Sequence, residues 1–128
     1  MSTQQENRVK DFRSLKVWEK AHALVLEVYK LTSKFPVDER FGLTIQMRRS
    51  GASIPTHIAE GCGTDNDQDF ARLLQTAMRS ACELEYQLLL SRDLTFTPVE
   101  LYAELEPKVI EVKKMLSVFI QKLRAGNL

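Results

Sequence analysis

Apolar residues recur every three or four positions along most of the chain, which is the period of an amphipathic helix. The pattern predicts three helices at about 14–34, 38–60 and 67–94, and a fourth that starts at Thr97 and stops before Gly126. No alternation typical of strands competes with it. Because the connections are short, residues 1–128 are predicted to form one all-α domain, an antiparallel up-down-up-down four-helix bundle with residues 1–12 flexible.

Capping residues and prolines refine the predicted helix ends. Ser14 is expected to be the N-cap of the first helix. At the fourth helix, Thr97 is predicted as the N-cap, with Glu100 completing a capping box. Pro55 and Pro107 fall inside the second and fourth helices, where a missing N–H and a clash with the preceding turn predict kinks.

The second predicted helix is apolar around most of its circumference, with only a thin polar stripe. A helix in a four-helix monomer should have one solvent-exposed face, so this pattern predicts a second burying surface, most simply another subunit. Its two apolar rows are Phe41, Ile45, Ala52 and Ala59, and Leu43, Met47, Ile54 and Ile58.

Composition limits the function classes. The net charge of +1 is not the basic excess typical of nucleic-acid-binding domains, so polyanion binding would require local clustering. No apolar run approaches the roughly 20 residues that span a bilayer. The polar residues 1–7 do not form a signal peptide. We therefore expect a cytoplasmic protein that has no membrane partner.

Basic residues cluster at the start of the first predicted helix and late in the fourth. An antiparallel bundle places these two ends together, which predicts a polyanion-binding surface. Acidic residues at 65, 67 and 69 lie at the same end, so a solvated surface of mixed charge is the alternative. No arrangement that reads bases is recognisable. The predicted binding residues are Arg13, Lys16, Lys20, Lys113, Lys114, Lys122 and Arg124, and Arg8 and Lys10 precede them.

A second set of polar residues is spread over the second and third predicted helices. Glu85 falls in an apolar row, so it is expected to be partly buried, with Arg48 or Arg49 as its partner. Arg79 and Glu83 are one turn apart and are expected to pair. The favoured interpretation is a structural or interface network, and the alternative is a phosphate or catalytic site. Its members are Gln46, Arg48, Arg49, His57, Glu60, Arg79, Glu83 and Glu85.

Metal and catalytic sites are not predicted. Glu19 and His22 have the Glu-x-x-His spacing of di-iron bundle proteins. The second candidate, His57 with Glu60, runs in reverse order, and the required ligand count is not reached. No Ser-His-Asp or Cys-His arrangement and no Gly-rich phosphate loop is recognisable. We therefore expect no cofactor and no enzymatic activity.

The most distinctive segment of the chain is RRSGASIPTHIAEG, at 48–61. It closely resembles the signature of the four-helix bundle family named for proteins encoded in intervening sequences of 23S ribosomal RNA genes. LKVWEKA at 15–21, FGLTIQ at 41–46 and ELE at 83–85 resemble the flanking motifs of that family, in the same order. His57 stands where the family usually has Asn, and Arg79 stands where it usually has a small residue.

The resemblance implies a four-helix bundle that assembles as a homopentamer, and it implies no known reaction. Some relatives are encoded inside ribosomal RNA genes, and a distant branch serves as a basic accessory subunit to a retroelement reverse transcriptase. We therefore predict a non-catalytic oligomeric module that binds RNA or DNA through its basic end. A scaffold for a protein partner, with no nucleic-acid role, is the first alternative, and a metal-binding bundle enzyme is the second.

Overall fold

The computed structural model describes residues 11–126, which form four α-helices and no strand. Helix α1 is Lys16–Thr32, α2 is Leu43–Gly61, α3 is Asp67–Asp93 and α4 is Val99–Arg124. Short 3-10 turns, Phe12–Ser14 and Val37–Glu39, precede α1 and α2. Residues 1–10, which include most of the segment predicted to be flexible and the basic Arg8 and Lys10, lie outside the described residues.

Contacts between helices show that each helix runs antiparallel to its neighbours. At all four interfaces, positions that advance along one helix contact positions that retreat along the next, and α1 meets α4 to close the bundle. The predicted antiparallel four-helix bundle is therefore confirmed. Between α1 and α2, Thr32 contacts Arg48 and Val28 lies beside Gly51; between α2 and α3, Ser53 contacts Ser80 and Gly61 contacts Phe70. Between α3 and α4, Glu85 contacts Lys113 and Phe70 contacts Phe119; between α1 and α4, Lys20 contacts Glu111 and Glu27 contacts Lys108.

One continuous apolar core lies between the helices, and every helix contributes to it. The stripes predicted from the helical period point inward, since burial of apolar side chains is the main favourable term in folding. Fully buried examples from the four helices are Leu24 and Val28, Met47, Ile54 and Ile58, Leu74, Leu84 and Leu88, and Leu105, Val109 and Leu116.

Two predicted N-caps are wrong. Ser14 does not cap α1, because its hydroxyl donates to the carbonyl of Asp11, and the helix begins after Leu15. Thr97 does not cap α4, because it is buried and its Oγ1 lies 2.7 Å from Ser91 Oγ. Thr97 therefore closes the turn between α3 and α4, and the helix begins after Pro98 with no side-chain cap.

Helix α2 begins five residues later than predicted. The chain first forms the Val37–Glu39 turn, and the Glu39 carboxylate then accepts a hydrogen bond of 3.1 Å from the N–H of Leu43. This bond satisfies one of the free N–H groups at the helix start. The helices continue through Pro55 and Pro107, so the kinks at these residues stay a prediction.

The two apolar rows of α2 have different surroundings. Leu43, Met47, Ile54 and Ile58 are buried in the core. The other row lies outside it: Ile45, Ala52 and Ala59 are half-buried, and the preceding Phe41 is 86% exposed. A single chain therefore covers one row of α2 and leaves the other accessible.

Candidate functional site

The basic groove lies between the start of α1 and the second half of α4. It is an open groove of about 440 Å³ with an apolar floor and three exposed lysines, Lys16, Lys114 and Lys122, along it. The antiparallel packing of α1 against α4 brings these residues together although about 100 positions separate them in the chain. The floor residues are Leu15, Val17, Met115, Val118 and Phe119.

The predicted basic residues fall into two groups. Three of them are neutralised by carboxylates, Lys113 by Glu85 at 2.6 Å, Lys20 by Glu111 at 3.4 Å and Arg13 by Asp11 at 3.0 Å. Within residues 11–126, the other four have no carboxylate within ion-pair distance. These four are Lys16, Lys114, Lys122 and Arg124.

Lys113 connects two helices and is not a free cation. Its hydrogen bond to Glu85 raises the pKa of the Lys113 ammonium group above the ordinary 10.5, so Lys113 remains cationic at neutral pH. Glu85 is half-buried, as predicted, but its partner comes from α4. The expected pairing with Arg48 or Arg49 is wrong, because Lys113 reaches Glu85 from the opposite neighbouring helix.

Arg48 instead joins α1 to α2. Its Nε donates to Thr32 Oγ1 at 2.9 Å, and its guanidinium lies 4.6 Å from the centre of the Tyr29 ring. The buried Thr32 hydroxyl donates to the carbonyl of Val28 at 2.8 Å and accepts from Arg48, so this bond links the two helices through a group that is already fixed on α1. Arg48 is therefore a helix-joining residue, and Arg49 is exposed.

A second open groove, the α3 groove, runs along the outer side of α3 beside the start of α2. It has a volume of about 590 Å³ and contains three members of the predicted polar network, Gln46, Arg79 and Glu83. The expected Arg79–Glu83 pair does not form, because Arg79 donates to Thr76 Oγ1 at 3.2 Å. The remaining lining residues are Gln75, Met78, Cys82, Tyr86, Gln87 and Leu90.

Sequence reasoning missed Gln87. Its side chain is 9% exposed and its Oε1 is buried with no hydrogen-bond partner among the described residues. Glutamine in the middle of a long helix is ordinary on an exposed face, so only the tertiary structure distinguishes this position.

The described residues do not gather metal ligands. Between residues 11 and 126, no group of three His, Cys, Asp or Glu side chains could hold a metal ion. His22, part of the candidate Glu-x-x-His pair, stacks on Trp18 with ring centres 4.8 Å apart. In the same part of the chain, none of the helices has both the length and the apolar character needed to cross a membrane.

Comparison with known proteins assigns the fold to a family. The profile of the family described as 23S rRNA-intervening sequence protein matches residues 13–118. The chain belongs to this family. A crystal structure of a Bacteroides thetaiotaomicron protein with unknown function, from the S23 ribosomal protein family, is similar, with a TM-score of 0.76 and 26% identity over 82% of this chain and 95% of that chain. No curated protein matches the chain.

The distinctive segment of this intervening-sequence family member lies in α2, where it packs against α3. The His57 ring donates from Nδ1 to the carbonyl of Ser53 at 2.8 Å, and Ser80 donates to the Ser53 hydroxyl at 2.8 Å. The proton is assigned to Nδ1 because the carbonyl can only accept. His57 is half-buried and belongs to this α2–α3 contact, while Glu60 on the same helix is exposed.

Proposed function

We propose that this family member is a non-catalytic, cytoplasmic binding module that holds the phosphate backbone of RNA or DNA in its basic groove. The observation that supports the proposal is the placement of Lys16, Lys114 and Lys122 along one groove with no carboxylate within ion-pair distance among residues 11–126. Lysine ammonium groups neutralise phosphates, and the released counterions provide affinity that does not depend on base sequence.

Asp69, one of the acidic residues at this end, has partners of its own on α3 and at its N-cap. Asp69 binds Arg72 within α3 at 3.6 Å and accepts from Asn66, which caps the same helix. The start of α3 contacts α4 through Phe70 and Phe119, so Asp69 lies at the same end of the bundle as the basic groove. A nucleic-acid backbone that lies in the basic groove would therefore contact lysines that have no carboxylate partner among residues 11–126.

The test is binding of labelled single-stranded RNA, duplex RNA and duplex DNA across a salt series. With three lysines engaged, log K should fall with log salt at a slope of about −2 to −3 per binding site. The variant Lys114→Gln/Lys122→Gln should weaken binding and flatten the slope by about 1–2. Negligible binding of all three nucleic acids at low salt would refute the proposal and favour a protein partner.

A matched variant separates the groove from the overall charge. Lys30→Gln/Lys34→Gln removes two exposed lysines, one in the last turn of α1 and one just beyond it, far from the basic groove, so it changes the net charge by the same amount. It should leave both affinity and salt slope close to those of the native protein. Equal losses in the two double variants would show that net charge, and not the groove, determines binding.

We also propose that the protein acts as a homo-oligomer. This is supported by the α2 row that one chain leaves accessible, with Ile45, Ala52 and Ala59 half-buried and Phe41 exposed. Five copies are the expectation from the family resemblance, since accessible apolar area predicts association and not symmetry. Sedimentation equilibrium tests this directly, and the mass of one chain across the concentration range would refute it.

A further inference from the structure

The floor of the basic groove is apolar and accessible, and phosphate binding alone does not require it. Val118 is 51% exposed, and Leu15, Met115 and Phe119 are half-buried. Among the described residues that line the groove, the polar side-chain groups are the lysine ammonium groups. Lysines neutralise phosphates by charge, whatever lies between them. Exposed apolar surface that is bordered by charged residues is typical of a binding site, so the floor is expected to contact an apolar part of the ligand.

The lysines come from both helices that border this floor. Lys16 is the first residue of α1, whereas Lys114 and Lys122 belong to α4. On α4, Lys114, Val118 and Lys122 follow one another at intervals of four residues, so they share one face of the helix. The two α4 lysines are therefore separated by about 12 Å along the helix axis, with an apolar side chain between them. The matching ligand has separated negative charges and an apolar surface between them.

An unpaired nucleic-acid strand has this combination of groups. Its phosphates are charged and its free base faces can stack, and proteins that bind single strands combine a cationic groove with side chains on which bases stack. In a duplex the base faces are stacked inside the helix, and only base edges and backbone face a protein. The groove volume of about 440 Å³ is that of a small-ligand site, whereas a stable protein interface buries about 800 Å² on each partner. These properties favour a flexible strand over a folded protein.

We propose that the basic groove binds single-stranded nucleic acid, with unpaired bases on the floor at Val118 and Phe119 and phosphates on the lysines. The inference rests on the proposed phosphate binding and specifies the class of nucleic acid. The floor side chains contain no nitrogen or oxygen atom, so the floor distinguishes neither one base from another nor ribose from deoxyribose. RNA and DNA strands of any sequence are therefore equivalent ligands, and DNA strands serve as probes.

The first experiment measures whether bases contribute to the affinity. Two labelled DNA strands of equal length are titrated with the protein across a salt series, one of oligothymidine and one with an abasic site at every position. Both strands present the same phosphates, so their salt slopes should be equal. Contact of the bases with the floor should make the oligothymidine bind the native protein at least about 5-fold more tightly than the abasic strand.

Variants of the floor then locate the base contact. Val118→Ser removes an exposed apolar side chain and should weaken oligothymidine binding about 2- to 5-fold. Phe119→Leu removes the aromatic ring but keeps an apolar side chain against Phe70, so it should fold and still lose affinity for oligothymidine. Neither change should alter binding of the abasic strand. Val99→Ser is the matched control, because Val99 is 66% exposed at the other end of α4, and it should bind both strands as the native protein does.

The outcomes separate base contact from phosphate binding, with circular dichroism to check that each variant is folded. A native protein that binds neither strand at low salt overturns both proposals. Equal affinities for oligothymidine and the abasic strand overturn only the base contact proposed here. A preference for oligothymidine that survives in both floor variants, or a loss in them that is equal for the two strands, would overturn the placement of bases on this floor.

A duplex of the same length gives an independent prediction. In oligothymidine paired with oligoadenine the base faces are not available, so Val118→Ser and Phe119→Leu should leave its affinity unchanged. Lys114→Gln/Lys122→Gln should weaken binding of the duplex and of the single strand, because both present phosphates. Floor variants that weaken duplex binding as much as single-strand binding would overturn the assignment of the floor to unpaired bases.

Discussion

Alanine in place of Gly61 and alanine in place of Gly51, both in α2, are expected to change the free energy of unfolding in opposite directions. A Cβ on Gly61 would lie 2.5 Å from Cδ1 of Phe70 and 2.6 Å from Cε1, which is far inside contact distance. The Phe70 ring has little room to retreat, because it is buried and its centre lies 5.1 Å from that of Phe119. A Cβ on Gly51 would lie 3.9 Å from Val28, an ordinary van der Waals contact.

The magnitudes follow from overpacking and helix propensity. Overpacking a core costs about 1–3 kcal/mol, whereas alanine in place of a helical glycine gains up to about 1 kcal/mol. Gly61 is the last residue of α2, so it gains only part of that amount. We expect Gly61→Ala to lower the free energy of unfolding by about 1–2 kcal/mol. Gly51→Ala should raise it by about 0.5–1 kcal/mol.

Urea unfolding followed by far-UV circular dichroism measures both effects, at a fixed protein concentration because assembly would shift the apparent stability. Gly63→Ala is the control, because Gly63 is exposed and a Cβ there would lie 3.5 Å from the carbonyl oxygen of Glu60. This substitution should change the free energy of unfolding by less than about 0.5 kcal/mol. Adding Phe70→Leu to Gly61→Ala should show favourable coupling between the two sites. The reasoning is refuted if Gly61→Ala is as stable as the native protein, or if Gly51→Ala is destabilising.

Two further predictions concern the contacts between α3 and α4. Thr97→Val should lower the free energy of unfolding by about 1 kcal/mol through loss of the buried bond to Ser91, with helix content unchanged; a loss of helical signal would contradict the assignment of Thr97 to the turn. The raised pKa of Lys113 means that its pairing with Glu85 stabilises the fold below pH 10.5 and is lost as pH rises through the higher folded-state value. Glu85→Gln should therefore cost up to about 1 kcal/mol at neutral pH, and its stability difference from the native protein should narrow in alkaline urea titrations.

The helix ends show where local pattern and tertiary contact compete. Thr97, Pro98 and Glu100 form a strong capping sequence, yet the Thr97 hydroxyl bonds with Ser91, which is six positions away and buried. The N-cap pattern considers only neighbouring residues, so it does not include Ser91 as a partner for the Thr97 hydroxyl. Ser91 becomes available only when the turn between α3 and α4 packs. Glu39 shows the reverse case, since a residue placed inside the predicted second helix instead accepts from the N–H of Leu43 at its start.

The candidate sites differ in how far local pattern predicts them. Clustering of basic residues at the ends of the first and fourth helices, combined with antiparallel packing, predicts Lys16, Lys114 and Lys122 as neighbours. The same reasoning groups Lys113 with them, although Glu85 neutralises it. Charge partners on another helix depend on rotation and register, which a pattern of one helix does not contain.

The sequence by itself determined the four helices, their antiparallel order, the inward stripes and the family, because the 3.6-residue period and the ordered motifs are properties of contiguous segments. Tertiary structure alone decided that Phe41 is exposed and, within residues 11–126, which cations have no carboxylate partner and that the oxygen of Gln87 has no hydrogen-bond partner. These properties depend on which side chains of different helices come within a few ångströms of one another. Helix rotation and register set those distances, and they emerge only when all four helices pack around the common core.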